Sequence, residues 1–316
     1  MSSQGVLPHS DVLDSVISNS KRAQMTSVDQ RRKAQVLLDL HSGRPILLFP
    51  NVWDPIGARV LASRGYPAVA TASSAISSSL GFGDGEKIAR QTMLQVVSRI
   101  SHAVNVPVSA DMEAGYADSL DELEETIHGL IDTGAVGINL EDSMEEGGAL
   151  RPIDEQAERL SRARETAAAL GVHLVINARV DSFISDQFSD TEERIEDAVT
   201  RAQAYARAGA DCIYPMGPGD AETLQLLRDR ITAPLNALVT PSAVPLETMA
   251  AIGINRVSFG PYIFRSCLRK FADIADALAR SESYECFSRD MMSRSEVAAY
   301  WTSESEDHPS QPFDLP

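Results

Sequence analysis

Positive charge is scarce in this chain. Its 316 residues include 28 Lys and Arg against 45 Asp and Glu, a formal net charge of −17. An acidic field repels polyanions and anionic lipid surfaces, and no basic stripe offsets it locally. Nucleic acid and membranes are therefore excluded as partners held by bulk charge. Small anions are not, because a metal ion or one buried arginine can reverse the sign of the field at a site. Cysteine is nearly absent too. Cys212, Cys267 and Cys286 stand far apart with no C-x-x-C pair, which removes a thiolate zinc site and points to a reducing compartment. Long apolar runs are missing, since stretches such as Ile46–Phe49 fall far short of the roughly 20 residues a spanning helix needs. The opening MSSQGVLPHSDVLDSV has neither a basic start leading into an apolar stretch nor an Arg-rich amphipathic pattern. The expected location is cytoplasmic.

What is present is an ordinary globular composition, 43% hydrophobic and 23% charged, which can bury a core. The length suits two average domains or one α/β barrel of about 250 residues with extensions. The alternation along the chain decides between them. Short apolar runs at Ile46–Phe49, Ala68–Thr71, Val106–Ala110, Val136–Leu140, His173–Asn177, Cys212–Tyr214, Leu235–Leu238 and Arg256–Phe259 read as strands. Each is followed by an amphipathic stretch: Ile56–Ser63, Gln91–Ala103, Leu120–Asp132, Asp154–Leu170, Thr191–Ala208, Ala221–Arg230, Leu246–Ala251 and Tyr262–Leu278. Eight strands alternating with eight helices describe an α/β fold of the (β/α)₈ TIM-barrel type. Gly65, Gly134, Gly171, Gly209 and Gly253, each a few residues before a strand, suit left-handed helix caps. A doubly wound sheet would need a Gly-rich loop after its first strand, and FPNVWDP has none. The expected organisation is a flexible arm over residues 1–27, a barrel over 28–285 with a helix before its first strand, and a partly disordered, partly helical extension over 286–316.

In such barrels the active site is built at the C-terminal ends of the strands. Those positions are acidic here. The third strand ends Asp111-Met112-Glu113-Ala114-Gly115-Tyr116, the fourth Leu140-Glu141-Asp142-Ser143, and the loop after the second contains Asp84. Carboxylates gathered at one mouth repel unless protonated or neutralised, so a divalent cation is expected; all-oxygen ligands without His or Cys favour Mg²⁺ or Mn²⁺. The fifth strand ends Asn177-Ala178-Arg179-Val180-Asp181, and Arg179 suits a bidentate grip on a substrate carboxylate or phosphonate. Asn236 on the seventh strand could hydrogen-bond a substrate oxygen. Plainer readings stand beside these. Asp118 or Ser119, and Asp142 or Ser143, could be helix caps; Arg179 could merely neutralise Glu141. Trp53 could cover the site or pack the first helix, and Cys212 reads as a small core residue. Convergence of several acids and one arginine favours the functional reading.

The segments FPNVWDPIGARVLASRGYPAVATASSAISSSLGFGDGE, VSADMEAGYAD, GINLEDS and INARVDSF resemble, in order and spacing, the isocitrate lyase and phosphoenolpyruvate mutase superfamily, over roughly Pro45 to Leu278. The resemblance implies Asp111 as direct Mg²⁺ ligand, with Asp84, Glu113 and Glu141 holding the metal's waters. It also implies substrate contacts from Arg179, Asp84 and the Ser73-Ser74 region. Glu113 stands where the mutases have aspartate. The implied chemistry is a metal-stabilised enolate of a 2-oxo or 2-hydroxy acid, with Tyr116, water or the Met144–Arg151 loop as proton donor. The implied assembly is a homodimer or homotetramer that exchanges the helix Tyr262–Leu278. The loop from Glu141 to Pro152 departs from the better-known branches, because it holds no Cys, Lys or His. The lyases' catalytic cysteine and the mutases' Lys and Asn-Ser residues are therefore both missing. The expected function is a Mg²⁺-dependent lyase cleaving a C–C bond of a 2-oxo or 2-hydroxy (di)carboxylic acid. The alternatives are a phosphoenolpyruvate phosphonomutase or phosphonopyruvate hydrolase, and a barrel that binds dicarboxylates without turnover.

Overall fold

The structure, a computed structural model, describes residues 28–42, 45–144, 148–280, 284–285, 287 and 291–302. The expected arm over 1–27 and most of the extension after 286 lie outside the described residues, as does the centre of the loop after Glu141.

Nine short strands are described: β1 Leu47–Phe49, β2 Asn51–Val52, β3 Val69–Thr71, β4 Val108–Asp111, β5 Gly137–Glu141, β6 Val175–Val180, β7 Cys212–Pro215, β8 Asn236–Leu238 and β9 Arg256–Ser258. β1 and β2 are halves of one barrel strand, parted at Pro50, which has no amide hydrogen to donate. All pairings are parallel. One ladder runs β2-β3-β4-β5-β6-β7 and the other β1-β9-β8. They meet at Pro50 on one side. On the other, the parallel bridge Ile213–Leu235 joins them, with Ile213 N donating to Pro234 O at 2.9 Å. The strand order is that of the expected (β/α)₈ barrel.

The helices are α1 (28–42), α2 Pro55–Ser63, α3 Ser73–Ser79, α4 Arg90–Ser101, α5 Leu120–Asp132, α6 Ile153–Ala169, α7 Thr191–Arg207, α8 Ala221–Arg230, α9 Leu246–Ile252, α10 Tyr262–Ala279 and α11 Arg294–Thr302. Their starts follow from local chemistry. Asp54 accepts from Gly57 N with Pro55 opening the helix, and Ser119 forms a reciprocal capping box with Glu122. The five glycines expected as caps all take positive φ, between 76° and 103°. One helix is new relative to the sequence reading. The run SSAISSS of α3 has weak intrinsic helix preference, and it folds because Ser73, Ala75, Ile76 and Ser77 are buried against the barrel.

The core fills the space between strands and helices with fully buried Ile76, Met93, Leu123, Ile127, Leu130 and Ile138. α1 closes the N-terminal end of the barrel. Gln30 Nε2 donates to Ile131 O (2.8 Å) and Ala135 O (3.1 Å), and Leu37 fills the space beside Gly137, where an added Cβ would lie 2.8 Å from Leu37 Cδ2. His41, near the end of α1, is 1% exposed. Its Nδ1 lies 2.7 Å from Leu37 O, so Nδ1 carries the hydrogen and Nε2 the lone pair. Burial, reinforced by neighbouring Arg256, pushes its pKa down to about 4. A depressed histidine pKa means that the unfolded chain takes up the proton first, so stability is complete above pH 6.5 and is lost as the pH falls towards 4. Between pH 7.5 and 5 this group alone is expected to cost about 2 kcal/mol. Urea unfolding of wild type and His41→Gln at both pH values checks this, and equal losses in the two proteins would refute it.

α10 behaves unlike the other barrel helices. Its only buried side chain is Phe264, which meets Trp53 edge-on at 5.1 Å, so Trp53 packs the last helix rather than the first. Further along, Leu268, Phe271 and Leu278 are exposed, Phe271 by 72%. α11 returns to α2, where Arg59 Nη1 donates to Tyr300 O at 2.5 Å and the guanidinium lies 5.5 Å from the Trp301 ring centre. Among the described residues no helix is long and apolar enough to cross a membrane.

Candidate active site

Interior-facing positions alternate along each strand, and here they are polar well below the strand ends. Asn139 and Glu141 on β5, Asn177 and Arg179 on β6, and Arg256 and Ser258 on β9 all follow this period of two. Above them a cavity of about 910 Å³ opens at the strands' C-terminal ends, lined by Ser73, Ser74, Asp84, Asp111, Glu113, Glu141 and Arg179 among others.

Asp111 ends β4 and is held at both oxygens. Oδ2 accepts from Ser73 N (2.9 Å) and Ser73 Oγ (2.8 Å), while Oδ1 accepts from Asn139 Nδ2 (2.9 Å). Asn177 Nδ2 in turn donates to Asn139 Oδ1 at 2.7 Å, so two asparagines on neighbouring strands set the carboxylate's plane. The α3 amide and hydroxyl of Ser73 are thus both committed to Asp111, where the family resemblance gives that segment a substrate contact. Ser74 lines the cavity beside it. Asp84 Oδ1 lies 3.4 Å from the same hydroxyl.

Glu113 is part of a clasp between two loops. Its Oε2 accepts from Gly85 N (2.8 Å) and Glu86 N (2.6 Å), and its Oε1 from Tyr116 OH (2.7 Å); Glu86 Oε1 accepts from Tyr116 N (2.7 Å). Glu86, Glu113 and Tyr116 all have positive φ, between 50° and 57°, which costs a non-glycine residue ~1–2 kcal/mol each. The turn needs Gly115 between them, since a Cβ there would lie 2.9 Å from Leu123 Cδ1. From behind, buried Arg159 donates to Ala114 O (2.6 Å) and Ala117 O (3.1 Å). Strain gathered in one place by mutual hydrogen bonds is characteristic of functional loops. Burial, with added repulsion from Asp111 and Asp84, pushes the Glu113 carboxyl up to about 7 despite the Tyr116 bond. Tyr116 itself is a brace: its hydroxyl is spent on Glu113, it is not among the cavity-lining residues, and burial raises its pKa far above the ordinary phenol value. These contacts give Tyr116 a bracing role beside its expected part as one of three candidate proton donors. Tyr116→Phe is expected to lose about 1–2 kcal/mol of stability, measured by urea unfolding; an unchanged midpoint would show the clasp to be unimportant.

Glu141 and Arg179 face each other across β5 and β6, paired in register. Arg179 Nη1 lies 2.7 Å from Glu141 Oε2, and Arg179 Nε donates to Asp181 Oδ1 at 2.6 Å. Burial raises the Glu141 carboxyl well above its usual range, with Arg179 opposing and Asp181, Asp111 and Glu113 adding to the rise. Burial also works against the Arg179 charge, but Glu141 and Asp181 hold its pKa well above the ordinary value. Arg179 does neutralise Glu141, and it lines the cavity as well.

Asp142 and Ser143 are not helix caps. Asp142 is buried, accepts from Tyr205 OH (2.8 Å) and Arg201 Nη1 (3.2 Å), and takes the amide of Asp181 (2.9 Å). Ser143 donates to Asp181 Oδ2 at 2.5 Å. The same Arg201 donates to Arg151 O, so one guanidinium fastens both ends of the loop after β5. Asn236 does not line the cavity; it donates to Ser258 Oγ at 3.0 Å. Cys212 is buried as a core residue. Asn139, Asn177, Asp181 and Arg256 were given no role from sequence. Polar residues at every second position of otherwise apolar buried strands are the signal that marks them.

Among the described residues no three His, Cys, Asp or Glu side chains converge closely enough to enclose an ion directly. The donor set still fits a hard divalent cation. Its donors are oxygens only, Asp84, Asp111, Glu113 and Glu141 share one cavity, and two of the four are pushed towards protonation by burial and mutual repulsion. A cation with few direct ligands and several retained waters suits that spacing.

Fold and site together define the class, a parallel α/β barrel with a polar, carboxylate-rich cavity where barrel enzymes carry out their chemistry. The sequence profile of the phosphoenolpyruvate phosphomutase family matches residues 37–279, and the chain belongs to that family within the isocitrate lyase and phosphoenolpyruvate mutase superfamily. It is 31% identical to an uncharacterised protein of Mycobacterium tuberculosis, over 77% of this chain and 88% of that one. It is 27% identical to the oxaloacetate decarboxylase of Paraburkholderia xenovorans, over 72% and 74%. A solved structure from Burkholderia cenocepacia, described provisionally as a lyase/mutase, superposes with a TM-score of 0.80 at 29% identity, covering 88% of this chain and 98% of that one.

Proposed function

We propose that this protein is a Mg²⁺-dependent lyase that breaks a C–C bond of a 2-oxo or 2-hydroxy (di)carboxylic acid and leaves an enolate. The observation that supports this best is the joint presence, in one cavity, of the Asp111–Glu113–Glu141 carboxylates and the paired Arg179 guanidinium. Asp111 would hold the ion directly, and Asp84, Glu113 and Glu141 its water shell; Mn²⁺ suits the same oxygens. When bound, the ion supplies positive charge next to oxygens on which negative charge develops. Arg179, fixed by Glu141 and Asp181, holds the acid's carboxylate. The described ends of the loop after β5 are anchored beside the cavity: Arg151 N donates to Asp142 O at 2.8 Å, and Gly148 O accepts from Ser185 Oγ at 2.8 Å. Water, Tyr116 or a group between Met144 and Arg151 would deliver the proton. The oxaloacetate decarboxylase relative is consistent with release of an enolate by loss of carbon dioxide.

A phosphonomutase or phosphonopyruvate hydrolase is the second reading, favoured by the family profile and opposed by the absence of Lys, Cys and His from Glu141 to Pro152. Oxaloacetate, 2-alkylmalates and phosphonopyruvate are assayed side by side at saturating Mg²⁺, with phosphorus NMR on the last. Turnover of the phosphonate alone overturns the lyase reading, and tight oxalate binding without any product favours a binding barrel. The exposed Leu268, Phe271 and Leu278 of α10 support a homodimer or homotetramer in which two copies exchange this helix. Light scattering of wild type and Phe271→Asp tests that arrangement, and a monomeric wild type would overturn it.

A further inference from the structure

Most buried arginines of this barrel have an obvious counter-charge or a set of carbonyls. Arg179 has Glu141 and Asp181, Arg201 has Asp142 and Asp197, and Arg159 has two backbone carbonyls. Arg256 has neither. It starts β9, points into the barrel and is 3% exposed, yet it lines the floor of the cavity. Its partners are Ser258 Oγ, 3.3 Å from Nε, the His41 Nε2 lone pair, 3.4 Å from Nη1, and the face of Phe49, 4.3 Å from the guanidinium carbon. No carboxylate pairs with it among the described residues. All three partners are neutral, and His41 is kept so by burial and by Arg256 itself, which outweigh the opposing effect of its bond to Leu37 O. Asp111 attracts this guanidinium electrostatically but makes no ion pair with it, so the buried charge has only neutral groups in contact and is left poorly compensated. Its one opening is the cavity.

We propose that Arg256 binds a second carboxylate of the substrate at the cavity floor, so that the site takes dicarboxylic acids in preference to monocarboxylic ones. This rests on the reading above that the cavity takes 2-oxo or 2-hydroxy acids. Arg179 on β6 and Arg256 on β9 stand three strand positions apart around the ring. Two anionic groups of one small molecule can therefore be read from different sides, with the carboxylates of β4 and β5 on the longer arc of the ring. Arg179 is already shared by two carboxylates, which leaves it suited to one further acid group; Arg256 brings a full set of unshared charge. As a residue that would touch the substrate's remote end, Arg256 sets which acid is accepted.

The test compares malate with lactate, which share a 2-hydroxy acid head and differ by one carboxylate. Calorimetry with Mg²⁺ present is run on wild type, Arg256→Met and Arg256→Lys, each checked for native circular dichroism. Wild type is expected to bind malate at least about tenfold more tightly than lactate. Arg256→Met is expected to lose that preference, with lactate affinity unchanged within about twofold, and Arg256→Lys to keep part of it. A preference retained in a folded Arg256→Met overturns the proposal while leaving the lyase reading intact. Absence of binding by either acid to wild type overturns both. A wild-type readout covers the case in which the variants do not fold: the ring nitrogen resonances of His41 should shift on adding malate and stay in place with lactate. Unmoved His41 signals in malate-saturated protein would overturn the assignment of Arg256.

Discussion

Exchanging Arg179 for methionine is expected to lower turnover by on the order of 10³ and to cost about 3–5 kcal/mol of stability. Both effects arise from the same contacts. The guanidinium satisfies Glu141 at 2.7 Å and Asp181 at 2.6 Å, and Asp181 is fully buried. Without it, two carboxylates face each other in a site where burial already raises the Glu141 carboxyl. The pH dependence gives the prediction its sign. In the variant the Glu141 carboxyl loses the one charge that opposes its rise, so it should stand further above its unfolded-chain pKa, and the folded state binds more protons and regains stability as the pH falls. Denaturation with urea at pH 8 and pH 5.5 is the measurement, and the deficit should be smaller at the lower pH. A deficit of equal size at both would mean that Arg179 stabilises by packing rather than by charge.

Asp111→Asn is expected to remove calorimetric uptake of Mg²⁺ and to reduce kcat by on the order of 10³. The variant is nearly isosteric, but every group aimed at Asp111 is a donor: Ser73 N, Ser73 Oγ and Asn139 Nδ2. An asparagine there must turn its own NH₂ towards one of them. Asn139 cannot simply flip in response, because its carbonyl already accepts from Asn177. The mismatch is expected to cost about 1–3 kcal/mol on top of the lost carboxylate charge. Asn139→Asp offers the complementary change; it places two carboxylates together and should also weaken Mg²⁺ uptake. Undiminished metal binding and turnover within tenfold of wild type in Asp111→Asn would remove Asp111 from the centre of the site.

The strand positions were legible because each βα unit carries a short β-branched run, a polar strand end and an amphipathic helix, and these signals do not depend on distant residues. Asp111, Glu113, Glu141 and Arg179 were legible for the same reason, since each ends a strand and a barrel gathers its strand ends. The parts that escaped depend on which atom a side chain meets. Tyr116 looks like a free phenol in sequence, and only its φ of 52° and its 2.7 Å bond show it bent back onto Glu113. Ser73 looks like a ligand-binding loop residue, but burial of α3 turns its amide and hydroxyl to Asp111. Asn236 sits level with Arg256 on the neighbouring strand and spends its amide on Ser258 instead of opening to the cavity. Arg256 gave no signal as a single basic residue at a strand start. Its significance lies in having no carboxylate paired with it among the described residues, which is a property of the folded interior alone.

Leu37 seated against Gly137 has a practical consequence for anyone shortening this protein. The family profile begins at residue 37, in the middle of the helix that stoppers the barrel, so a boundary drawn there would cut the stopper in half. A polypeptide trimmed to the first strand would expose the hole beneath Gly137 and set Arg256 and Phe49 against water through the floor. Such a fragment should bind the dye ANS and aggregate on warming, whereas one that begins at residue 28 should not.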